Sequence, residues 1–124
     1  MKKILIGTVA TAISLLLVSC ASTNPVPKNV VFLNDSEIKT LFNDKTASGL
    51  TSGSGKPYEI KFNSNGTFEG TISSNNISGT WFVKGNDKCM TIRNRDYCSK
   101  HYKLNGEYFT YNEDKNRIVP ITIK

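Results

Sequence analysis

Tyr58-Glu59-Ile60-Lys61-Phe62-Asn63-Ser64-Asn65-Gly66-Thr67-Phe68-Glu69-Gly70-Thr71-Ile72 is the stretch that decides the fold. Tyr58, Ile60 and Phe62 alternate with Glu59, Lys61 and Asn63, and Phe68, Gly70 and Ile72 alternate with Thr67, Glu69 and Thr71. A period of two sends successive side chains to opposite faces of an extended chain. Asn65-Gly66 between the two runs readily adopts the positive φ of a tight turn, so the stretch predicts a β-hairpin with one apolar face.

The same reading extends toward the C-terminus. Asn75-Asn76 marks a turn, Gly79-Thr80-Trp81-Phe82-Val83 a strand, and Gly85-Asn86-Asp87 the turn after it. Cys89 to Ile92 and Tyr97 to Leu104 follow as strands, and Asn105-Gly106 leads into Tyr108-Phe109-Thr110-Tyr111. Glu113-Asp114-Lys115-Asn116 turns the chain into Ile118 to Ile123, where Pro120 places the last strand at an edge or a bulge. The expected fold is mainly β, an antiparallel meander of about seven strands whose sheet curls or closes to hide its apolar face. With a turn at Arg93-Asn94, Cys89 and Cys98 become directly opposed, about 4.5 Å apart at Cα if the pair is not hydrogen-bonded, which suits a disulfide.

Upstream, Asn34 followed by Glu37 fits a capping box, and Ile38, Leu41 and Phe42 form one apolar stripe on a short helix. Residues 43–57 are rich in Gly and Ser and read as a flexible loop, the lip of any site. Gly55-Lys56 is no phosphate-binding loop, because Leu50 and Pro57 stand where that template needs Gly and Ser or Thr.

At the N-terminus, Met1-Lys2-Lys3 precedes an apolar run, Ile4 to Val18, which reads as a signal peptide. The tetrad Leu17-Val18-Ser19-Cys20 resembles the lipobox of bacterial lipoproteins. That resemblance implies signal peptide 1–19, a diacylglyceryl thioether on Cys20, and acylation, as with palmitate, of its freed amine. Two or more lipid signals give stable membrane anchoring. Residues 20–29, small, polar and proline-containing, then form a tether, and 30–124 a single domain. With Ala21 rather than Asp after the cysteine, the expected location is the cell envelope, at the outer membrane facing the periplasm. An exported chain is oxidised, so Cys89 and Cys98 are read as a disulfide here too.

Chemistry for catalysis is sparse. His101 is the sole histidine, no Gly-x-Ser-x-Gly elbow occurs, and Glu59, Glu69, Glu107 and Glu113 face water if the alternation holds. His101, between Lys100 and Tyr102, reads as a surface strand residue. No enzymatic activity, metal or cofactor is expected. The full sequence carries 16 basic and 10 acidic residues, and 14 basic remain once Lys2 and Lys3 are removed. This scattered surplus suits anionic lipid or an acidic polymer, and the compartment excludes nucleic acid. Trp81, Tyr97, Tyr102, Tyr108 and Tyr111 either fill the core or form a ligand surface.

The helix at Glu37, Gly66-Thr67-Phe68, Gly79-Thr80-Trp81, Cys89 and Cys98 together resemble an uncharacterised family of small exported proteobacterial proteins, which implies a meander but no activity. Gly79-Thr80-Trp81 alone has a looser likeness to lipocalin-like barrels, where the motif sits on the first strand. The expectation is a lipid-anchored envelope protein, anchored through Cys20, that binds an envelope protein or polymer. Two alternatives stand beside it: an inhibitor of a hydrolase such as lysozyme, using Gly49 to Lys56, and a carrier of a small apolar ligand in a barrel.

Overall fold

The computed structural model describes residues 25–124 and turns the hairpin expected from Tyr58 to Ile72 into two staves of a closed barrel. Cys20, segment 1–19 and the start of the tether lie outside the described residues. The order is α1 (Asp35–Phe42), β1 (Lys45–Leu50), β2 (Pro57–Phe62), β3 (Thr67–Ile72), β4 (Asn75–Lys84), β5 (Asp87–Ile92), β6 (Arg95–Leu104), β7 (Glu107–Asn112) and β8 (Arg117–Ile123). Each strand pairs antiparallel with the next, and β8 returns to β1 through Ala47 opposite Ile123 and Gly49 opposite Ile121. Every strand therefore has two neighbours. The described residues bury their own core and leave no open sheet edge, so this part of the chain folds on its own.

Closure corrects three expectations. There are eight strands, the extra one being β1, which was read as part of a flexible loop. Its inward residues, Ala47 and Gly49, are too small to announce a strand. Smallness is what the site demands, because a Cβ on Gly49 would stand 2.9 Å from the Pro120 carbonyl oxygen. Pro120 lies on no open edge; it falls just beyond the stretch of β8 that pairs with β1. The third correction concerns the turn between β3 and β4, which sits at Ser73-Ser74, both at positive φ, while Asn75 and Asn76 belong to β4.

Elsewhere the local signals act as read. Asn34 caps α1, accepting from the Glu37 N–H at 2.9 Å while its own N–H donates to the Glu37 carboxylate at 3.0 Å. Arg93-Asn94 turns the chain with both residues at positive φ, setting Cys89 opposite Cys98; the two sulfurs are bonded and the Cα atoms are 4.1 Å apart.

Gly79-Thr80-Trp81 has a packing explanation. The Trp81 indole N–H donates to the Asn63 carbonyl at 2.9 Å, tying β4 to the β2–β3 turn. A Cβ on Gly79 would lie 2.2 Å from the Thr91 carbonyl oxygen and 2.9 Å from the Phe68 ring. Backbone cannot retreat as a flexible side chain can. Gly79→Ala is therefore expected to lower the unfolding free energy by about 2–3 kcal/mol. A urea midpoint equal to that of the parent would show that the strand yields there without cost.

Candidate functional site

The topology gives the barrel two unlike ends. At one end lie the α1–β1 connection and the β2–β3, β4–β5 and β6–β7 turns; at the other lie the β1–β2 loop and the β3–β4, β5–β6 and β7–β8 turns. Helix α1 closes the first end, driving Ile38 and Phe42, both 0 % exposed, into the lumen. Phe42 meets Phe62 edge-on at 5.2 Å and His101 at 5.0 Å between ring centres, and Phe62 meets Trp81 at 5.4 Å. The plug is thus largely aromatic and fully buried.

Above this floor the lumen is hollow, a cavity of about 1290 Å³ opening between the turns of the second end. Its wall carries Tyr58 near the mouth, then Ile60, Ile77, Met90, Ile92 and Val119, with Phe62 lower down. The β1–β2 loop lies at the mouth, shortened to residues 51–56 and held by Thr51 Oγ1, which contacts Ser54 Oγ at 2.8 Å and accepts from the Lys56 N–H at 3.0 Å. Arg117 donates to the Gly53 carbonyl at 3.0 Å, fastening the loop to β8.

Charge in the cavity has one sign. Lys56, Lys88, Arg93, Arg95 and Lys115 line it, and no aspartate or glutamate does. Four of these cations stand at the open end. Lys88 does not: it is 6 % exposed, and its Nζ lies 4.2 Å from the centre of the Phe42 ring and 4.4 Å from that of Phe62. Asp87, its neighbour in sequence, points the other way and pairs outside the barrel with Lys100 at 2.9 Å, where Glu113 joins it. No carboxylate among the described residues forms an ion pair with Lys88. Burial pulls its ammonium down from 10.5 to about 7.

His101 corrects the sequence reading most sharply: it is fully buried, not a surface residue. In β6 the apolar members are Tyr102 and Leu104, so alternation alone turns them inward and His101 outward. The structure inverts this. Tyr97, Ser99 and His101 belong to the inward set, and Tyr102 packs on the outer wall beneath Phe32, whose ring is 6.2 Å away. Two constraints hold that inversion: the disulfide on the outer face, and the Leu33 N–H donating to the His101 carbonyl at 2.8 Å. Both ring nitrogens of His101 and the Thr110 hydroxyl oxygen are buried without a hydrogen-bond partner. Burial first, and the charge of Lys88 second, hold His101 well below 6.5 and hence neutral.

The five aromatic candidates do not form one surface. Trp81 is in the floor, Tyr97 is at the mouth of the cavity, and Tyr108 packs against the core. Tyr102 and Tyr111 lie outside, where Phe32 stacks on Tyr111 at 5.9 Å and Phe109 on Tyr102 at 5.2 Å. Sequence reasoning missed Lys88, His101 and Thr110 as lumen residues. Opposite signs along β5 carried the only hint, since Lys88 shares its face with Met90 and Ile92.

These groups set an unusual pH dependence of stability. Between about pH 7 and 10.5 the unfolded chain holds a proton on Lys88 that the folded chain has released, so stability rises with pH, by up to about 1.4 kcal/mol per unit. Below 6.5 the unfolded chain protonates His101 while the fold resists, so stability falls on acidification. Tyr58, raised to about 12 by burial, reverses the trend above pH 10. Urea unfolding should show a maximum near pH 10; a midpoint unchanged from pH 7 to 10 would contradict the burial of Lys88 as a lone base.

Comparison with protein-family models, curated proteins and solved structures gives no match to this chain.

Proposed function

We propose that this chain is an envelope lipoprotein, cut before Cys20 and lipidated there, whose barrel is a non-enzymatic binding protein for a small ligand with an apolar body. The observation that carries the reading is the hollow lumen. A core of this size would ordinarily be filled, since interiors pack as densely as organic crystals. Here about 1290 Å³ stays open above an aromatic floor, more than the roughly 300–1,000 Å³ of drug-sized ligand sites. Apolar walls with a few unpaired polar groups describe a binding pocket. The Gly-rich segment that suggested a hydrolase inhibitor serves in this reading as the lip of the cavity, fastened by Arg117. Anchoring at the outer membrane, through Cys20 and the tether 20–29, would keep the mouth within reach of lipids and envelope metabolites.

Two measurements test it. Intact-mass analysis of protein from its native host should give a chain beginning at Cys20 with fatty acid attached; a product retaining residues 1–19 would remove the anchor. Native mass spectrometry of the chain from Ala21 onward, purified without denaturation, should retain a small molecule. A preparation that is empty and takes up no apolar probe would remove the binding role.

A further inference from the structure

Resting on that reading, we infer that the ligand is an acidic amphiphile that enters the cavity acid group first and places its carboxylate or other oxyanion on Lys88. Lys88 is the one cation set at the bottom of the apolar section, against the rings of Phe42 and Phe62 and without a carboxylate. Neighbouring strands add hydrogen-bonding groups to the same patch of wall. Ser99 stands opposite Lys88, Thr110 stands opposite His101, and Ser99 and His101 are two residues apart on one face of β6. The Thr110 hydroxyl and both His101 nitrogens are buried and unpartnered. Of these, Lys88, Ser99 and Thr110 line the cavity, with His101 packed behind them on Phe42; hydroxyls and an ammonium are donors, and an oxyanion is the acceptor they lack.

The opposite orientation, acid group at the mouth, leaves the floor unsatisfied. It would press a hydrocarbon tail against an ammonium already stripped of water, whereas Arg93 and Arg95 at the mouth are exposed and hydrated. Those mouth cations serve entry instead: with no acidic residue on the lining, they attract an anion toward the opening.

The test uses the chain from Ala21 onward with three probes: dodecanoate, dodecanol and dodecyltrimethylammonium, titrated calorimetrically below their micelle concentrations. A charge-assisted hydrogen bond at the floor should make dodecanoate bind roughly 10- to 100-fold tighter than dodecanol, with the cationic probe weakest. Lys88→Met should abolish that preference and leave dodecanol binding intact, which also reports that the variant is folded. Arg93→Gln with Arg95→Gln should slow association but keep the preference. If the paired arginine variant loses the preference and Lys88→Met keeps it, the acid group sits at the mouth and the inward placement is overturned. Equal binding of acid and alcohol would overturn the acidic ligand while leaving the apolar binding role standing. Failure of all three probes to bind would overturn both.

Discussion

Phe42→Ala is expected to destabilise the barrel by about 3–5 kcal/mol, the range for emptying a fully buried aromatic position. Phe42 is 0 % exposed and packs against the rings of Phe62, Trp81 and His101, so its loss leaves a cavity among them. The cavity is also in a particular place. Phe42 separates the lumen from solvent at the plugged end, and removing it lets water reach Lys88 from below. Two readouts should therefore move together: the urea midpoint falls, and the Lys88 ammonium climbs back from about 7 toward 10.5. A variant that loses stability while Lys88 remains a weak base would show that the helix is not the seal.

Lys88→Met should act in the opposite sense and make the empty protein more stable. The fall of the Lys88 ammonium from 10.5 to about 7 corresponds to a burial cost on the order of 5 kcal/mol at low pH. Its contacts with the Phe42 and Phe62 rings, at 4.2 and 4.4 Å, do not reduce that figure, because a pKa shift is already the net difference between the charged and neutral forms. Methionine keeps most of the volume and leaves no charge to bury. A gain approaching that burial cost is expected at pH 6, shrinking below about 1 kcal/mol by pH 10 as the parent lysine loses its proton. A variant less stable than the parent at pH 6 would mean that Lys88 has a partner in the empty fold.

How much of this was legible beforehand follows from which residues speak for themselves. The hairpin at Tyr58–Ile72, the Asn34–Glu37 cap and the Arg93-Asn94 turn are local: backbone preference and alternation within a few residues decide them. Barrel closure is not local. It depends on β1, whose Ala47 and Gly49 are small because β8 approaches closely, and that pressure comes from residues seventy positions away. The inversion of β6 was hidden for a related reason. Tyr102 is covered by Phe32, from a segment that alternation within the strand cannot register, so the polar set could turn inward. Lys88, on one face with Met90 and Ile92, gave the only hint of a polar lumen; the spacing of His101 and Thr110 gave none.

An NMR titration of the Lys88 side chain, run on the empty barrel and again with dodecanoate, tests the account most directly. A value of about 7 is expected in the empty protein, rising toward the ordinary 10.5 when the acid is bound, with the His101 ring signals responding in parallel. A value near 10.5 in the empty barrel, unmoved by dodecanoate, would contradict it.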